Sequence, residues 1–133
     1  MITHKRVSYI ENFFSVLLTS AGVSDNIFVG SLPEATDSEW TDLVLIEVQK
    51  MTEYNAYSRG TVLIYLYARP TGSPTRKNVT LLNKMEKKLY AAIEDNVDTY
   101  YSCNIQWAAT DRDTTLEWDY NVVSVQVNVR KLP

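Results

Sequence analysis

The run Thr61–Arg69, TVLIYLYAR, is the stretch that most constrains how this 133-residue chain can fold. It is the longest run of β-branched and aromatic residues in the sequence, and Gly60 and Pro70 bound it. Its shortness and its content of Val, Ile and Tyr predict a strand rather than a helix. At a period of two, Val62, Ile64, Leu66 and Ala68 point one way, and Leu63, Tyr65, Tyr67 and Arg69 point the other. One side is wholly apolar, while the other carries phenols and ends in a charge. A central strand is therefore expected, with a core on one side and a semi-polar, contactable surface on the other.

Further strands follow from the same alternation. Ile27–Val29 reads as a short strand, broken by Gly30-Ser31-Leu32-Pro33. Leu43–Lys50 places Val44, Ile46 and Val48 on one face, and is expected to pair antiparallel with Thr61–Arg69. The connection Met51–Gly60 exceeds a tight turn and reads as a loop, either a solvated tip or a contact carrying Tyr54, Tyr57 and Arg59. Trp40 stands in the polar, acidic segment 34–42, where it either covers an edge of the core or anchors an interface. In the last third, Tyr101, Cys103, Ile105, Trp107 and Ala109 share a predicted face, and Thr110–Thr114 reads as the turn. The return strand carries Leu116, Trp118 and Tyr120 in one phase and Val123, Val125, Val127 and Val129 in the other. This slip predicts a bulge or bend at Asn121-Val122.

Two helices are expected between these strands. Over residues 5–21, Val7, Ile10, Phe14, Leu17, Leu18 and Ala21 recur at three- and four-residue steps, Phe13 widens the stripe, and Gly22 supplies a stop. The outer positions Glu11, Asn12, Ser15 and Thr19 lack the row of cations that a membrane-surface helix carries. After the loop Pro70–Arg76, a helix spans about 78–96, with Asn78 or Thr75 as N-cap. Its packing stripe is Val79, Leu82, Met85, Leu89, Ala92 and Ile93. Lys77, Lys84 and Lys88 oppose that stripe, as a solvated back or a phosphate-binding surface; the interleaved aromatics of a nucleic-acid reader are missing. Glu94, Asp95 and Asp98 crowd the helix C-terminus, where the dipole disfavours negative charge, and an electropositive neighbour would account for them.

The length fits a single domain, residues 1–133. No apolar run approaches the roughly 18 residues of a membrane helix. Lys5 and Arg6 are followed by Glu11 and Asn12 rather than an uninterrupted signal-peptide core, so an intracellular protein with no membrane partner is expected. Cys103 is alone and reads as a small buried hydrophobe, and His4 is the only histidine, at an end expected to fray. Asn78-Val79-Thr80 matches the glycosylation sequon without a secretory context, and Asp111 and Asp113 lack the glycine and closing glutamate of a calcium loop. No catalytic, metal or cofactor constellation is legible, and a non-enzymatic protein is the expectation. Charge is segregated: seven acids against Lys50 over Asp25–Glu53, seven bases against Glu86 over Arg59–Lys88, and seven acids against Arg112 over Glu94–Asp119. Either neighbouring elements neutralise one another, or one subunit carries an acidic and a basic surface suited to head-to-tail association.

The expected architecture is α+β, an antiparallel or mixed sheet of about four to five strands with two helices packed on one face. In layout and length the chain resembles the tail terminator, tail completion and head–tail joining (neck) proteins of tailed bacteriophages. The resemblance is carried by the 5–21 helix, the 43–50/61–69 hairpin, the helix after RPTGSPTRKN and the alternating VVSVQVNV ending. It implies a phage or prophage structural protein, in the virion or in the host cytoplasm during assembly. Such a subunit forms a homo-oligomeric ring, commonly of about six copies, that caps the tail tube and joins it to head-connector proteins. DNA would pass a mildly acidic bore without specific binding. The family has no catalytic residues to carry over. From exposure and residue type, the interface candidates are Tyr54, Tyr57, Arg59, Arg76 and Arg112. The alternative is a small intracellular α+β domain that binds a ligand or a peptide as a non-enzymatic adaptor.

Overall fold

The apolar side of the 61–69 run does face a helix-covered core, and the run lies in the middle strand of a five-stranded sheet. The computed structural model describes the backbone of residues 2–130 and the side chains of residues 7–130; the readings placed on His4, Lys5 and Arg6 lie outside those side chains. The elements are α1 (Ile2–Ser20), β1 (Ile27–Val29), β2 (Asp42–Glu53), β3 (Tyr57–Ala68), α2 (Val79–Glu94), β4 (Tyr101–Asp113) and β5 (Trp118–Arg130). The sheet order is β1-β2-β3-β5-β4. β1 runs parallel to β2 and every other pair is antiparallel, so the sheet is mixed and the class is α+β, as expected.

Both helices lie on one face. Ile10, Phe14 and Leu18 of α1 and Met85, Leu89 and Ile93 of α2 bury against Val44, Ile46, Val62, Ile64, Leu66 and the β5 valines 123, 125, 127 and 129, and Leu82 of α2 is buried as well. Each such side chain contributes about 1.5–3 kcal/mol on burial. Gly22 ends α1 in the left-handed conformation at φ 69°. Its N–H reaches Thr19 O at 3.1 Å and the Val23 N–H reaches Leu18 O at 3.2 Å, a Schellman motif that satisfies the last carbonyls. Lys88 of α2 donates to Gly22 O at 3.1 Å and ties the helices together. Asn78 caps α2, its Oδ1 accepting the Leu81 N–H at 3.2 Å. Val79, expected in the packing stripe, is instead exposed; stepping back four residues from Leu82 lands on Asn78, and Leu81 packs against the core.

The second face of the sheet is partly covered as well. Residues 30–41 cross it to return the chain parallel to β1, and Leu32, Trp40 and Phe28 pack on Leu43, Leu45, Tyr67 and Trp118. Trp40 thus covers a core edge, its ring 5.6 Å from Phe28. Arg69 clamps this crossover: Nε donates to Trp40 O at 2.8 Å, Nη2 to Asp37 O at 3.0 Å, and the guanidinium lies 4.7 Å from the Trp118 ring centre.

Burial on both faces corrects the phase slip read in β5. Trp118, Tyr120 and Val122 serve the second face and Val123 onward serves the helix face, while β5 pairs with β3 without interruption from Asp119 to Arg130. The irregularities fall elsewhere, between Val48 and Met51 in β2 and between Ile105 and Trp107 in β4. The β4 bulge turns Trp107 and Ala109 away from the face of Tyr101, Cys103 and Ile105 with which they were expected to align, and Trp107 is 50% exposed. Two turns also move. Met51–Gly60 is not a loop: both strands continue through it and the tip closes where the Tyr54 N–H reaches Tyr57 O at 2.8 Å. Gly60 lies inside β3 opposite Met51, where a Cβ would stand 2.8 Å from Lys50 O and closer still to the Met51 sulfur. It is the gap that lets the bulged β2 pass, not the end of a strand. Likewise the turn expected at Thr110–Thr114 lies at residues 114–117, because Asp113 Oδ1 accepts the N–H groups of Thr115 and Leu116 at 3.0 and 2.8 Å.

Candidate interaction surface

The five interface candidates divide between the two ends of the sheet. Tyr54, Tyr57 and Arg59 gather at the β2–β3 tip. The phenol rings stack at 4.8 Å with 19° between planes, Arg59 stands 5.4 Å from the Tyr57 ring centre, and its Nε donates to Asn128 Oδ1 at 2.8 Å. Tyr54 is 43% exposed, so the stack presents a held aromatic surface with one cation beside it. Arg76 and Arg112 lie at the opposite end. Arg76 closes the Pro70–Arg76 loop through backbone bonds with Thr71 of 2.9 and 2.8 Å, and its side chain is exposed. Arg112 is exposed but engaged within the chain, pairing with Asp119 at 3.4 Å and donating to Glu117 O at 3.2 Å. β3 links the two ends, and its 12 residues cover about 36 Å.

Near the aromatic tip the sequence reading missed a second cluster. Three shallow hollows of about 410, 490 and 250 Å³ share Asp98 and Tyr101, at the α2–β4 connection. Tyr9 and Val16 of α1 border the first, and Tyr57, Tyr100 and Arg130 border the third. Tyr9, Val16, Tyr54, Val97 and Tyr100, five of the eight large apolar side chains left exposed among the described residues, therefore lie on or beside this end of the molecule. Phe13 stacks on Tyr101 at 4.3 Å and fixes the corner. The signal in the sequence is a second stripe of α1, Tyr9, Phe13 and Val16 at helical steps, of which only Phe13 is picked out above, as a widening of the first.

The Cys103 thiol and the Tyr101 phenol resist ionisation here. Burial first, and the negative charge of Asp98 second, push the Cys103 thiol up to about 12. The Tyr101 phenol is raised by burial, then by Asp98 and Tyr9. A thiol so shifted is a poor nucleophile. Among the described residues, no group of three His, Cys, Asp or Glu side chains could hold a metal ion, and no helix is long and apolar enough to cross a membrane. The arrangement offers contact surface: aromatic stacks, shallow hollows and the carboxylates of Glu94 and Asp98, which form no ion pair among the described residues. No protein-family model matches the sequence, and a search of curated proteins finds no significant relative.

Proposed function

We propose that this protein is a structural subunit of the neck of a tailed phage or prophage, which assembles as a ring on the end of the tail tube and joins it to the head. The observation that carries this reading is the placement of contact elements at opposite ends of one sheet. The Tyr54–Tyr57–Arg59 cluster stands at one end, and the Arg76 loop and Arg112 at the other. A joint needs such polarity, because one side must seat on the tube while the other meets a different partner. The layout resemblance and the segregated charge support the same reading; copies of one subunit meeting through unlike patches close into a ring when the rotation permits. Its action is steric, through shape and contact, and makes no covalent bond.

Deletion of the coding sequence from the phage genome tests the proposal. Electron microscopy of lysates is expected to show filled heads unjoined from tails, with tail tubes of irregular length. Intact, infectious virions from the deletion would overturn it.

A further inference from the structure

The outer edge of β4 is open in its middle and closed at both ends. Tyr100 O accepts the Arg130 N–H at 2.7 Å, which fixes the parity of the β4–β5 ladder. By antiparallel alternation, the backbone groups of Tyr101, Cys103 and Ile105, and past the bulge those of Ala108, Thr110 and Arg112, point away from β5. At the near end side chains fill these positions: the Tyr101 N–H donates to Asp98 Oδ1 at 3.1 Å, and Asn96 Nδ2 donates to Tyr101 O at 3.3 Å. At the far end the Arg112 N–H donates to Asp111 Oδ1 at 2.8 Å. Among the described residues, nothing pairs with the outward groups of Cys103, Ile105, Ala108 and Thr110. A groove of about 490 Å³ wraps the first half of this edge, with Ile93 and Glu94 of α2 on one wall and Ser102–Ile105 on the other.

We propose that the β4 edge is a docking site for an extended, lysine- or arginine-bearing segment of a partner protein. That segment adds as a sixth strand between Asn96 and Asp111, its backbone pairing with Cys103, Ile105, Ala108 and Thr110. The backbone ladder supplies affinity, and the flanking charge selects the occupant. Glu94, Asp95 and Asp98 stand at the C-terminal end of α2, which has no basic residue in its last turn, and none of the three is in an ion pair among the described residues. Asp111 and Asp113 flank the other end, where Arg112 is engaged by Asp119 and Glu117, and Lys77 by the Thr110 hydroxyl. A cationic strand relieves both ends. A second copy does not: antiparallel β4–β4 pairing would set the Asp98 end against the Asp111–Asp113 end. The β1 edge offers three residues next to a stretch of seven acids and one base. This inference rests on the free edge and not on the neck reading, and either can fail alone.

The test titrates the full chain with a ten-residue peptide alternating lysine with valine and threonine, following amide exchange by NMR. Protection is expected at Cys103, Ile105, Ala108 and Thr110. An N-methylated peptide, unable to form the ladder, and a glutamate-for-lysine peptide should not protect them. Ala108→Pro removes an outward N–H while sparing the β5 ladder, and is expected to weaken binding on the order of tenfold. Glu94→Lys, on the exposed helix end, should weaken it independently and leave the fold unchanged. Equal binding of the N-methylated peptide, no protection at the four amides, or concentration-dependent protection without peptide (self-pairing) would each overturn the proposal.

Discussion

Cys103 and Tyr67 make the protein's stability sensitive to alkali. Burial first raises both groups above their ordinary values of 9.0 and 10.0, with Asp98 adding to the thiol and Asp113 to the phenol. A group whose folded pKa lies above its unfolded one contributes stability that is complete below the unfolded value and is lost as pH rises through the folded value. Urea midpoints should therefore hold steady in this respect up to about pH 9 and fall as pH climbs toward 12, and Cys103→Ala should flatten part of the fall. Gly60 yields a second prediction at this scale. Replacing it by Ala forces Lys50 O and Met51 aside and should cost about 1–3 kcal/mol, read as a lower melting temperature. In the sequence this glycine looked like punctuation, because a turn glycine and a close-approach glycine are the same letter. Only the β2 bulge opposite distinguishes them, and that bulge is a property of pairing.

Among the elements, helix or strand was legible throughout, and what was not was which face each residue of a strand serves. α1 and α2 each show a main apolar stripe, and Gly22 and Asn78 mark their ends, so type and extent could be read within a few residues. β5 is buried on both sides, and its two apolar phases, each belonging to a different face, mimic a slip. Trp107 misled in the opposite direction: its place in the alternation was right until Gln106 added a residue. The segment 34–42 reads as polar and acidic, with Trp40 at a core edge or an interface, and nothing in its own residues shows that Arg69 holds it down from another strand. Arg69→Lys keeps the charge but loses the fork that spans the Trp40 and Asp37 carbonyls. It should cost about 1–2 kcal/mol in urea unfolding, with faster amide exchange over residues 37–41.

For the whole molecule, the candidate surface was half legible. Tyr54, Tyr57 and Arg59 were singled out by residue type and do converge, whereas Arg76 and Arg112 belong to the far end, which no spacing in the chain reveals. If the tip seats a neighbour, the double change Tyr54→Ser and Tyr57→Ser should preserve the far-ultraviolet circular dichroism spectrum. It should weaken self-assembly in analytical ultracentrifugation by about thirtyfold, the equivalent of losing roughly 2 kcal/mol from a central aromatic contact. Unchanged assembly would remove the tip from the interface. Lastly, β3 runs between its two extremities without a break, bonded to β2 on one flank and to β5 on the other. In the proposed joint it would act as a strut, carrying load from one tip to the other with little bending. In that joint a mismatch between the partners at its two ends would be absorbed in the short terminal turns, where changes that let it fit new neighbours would concentrate.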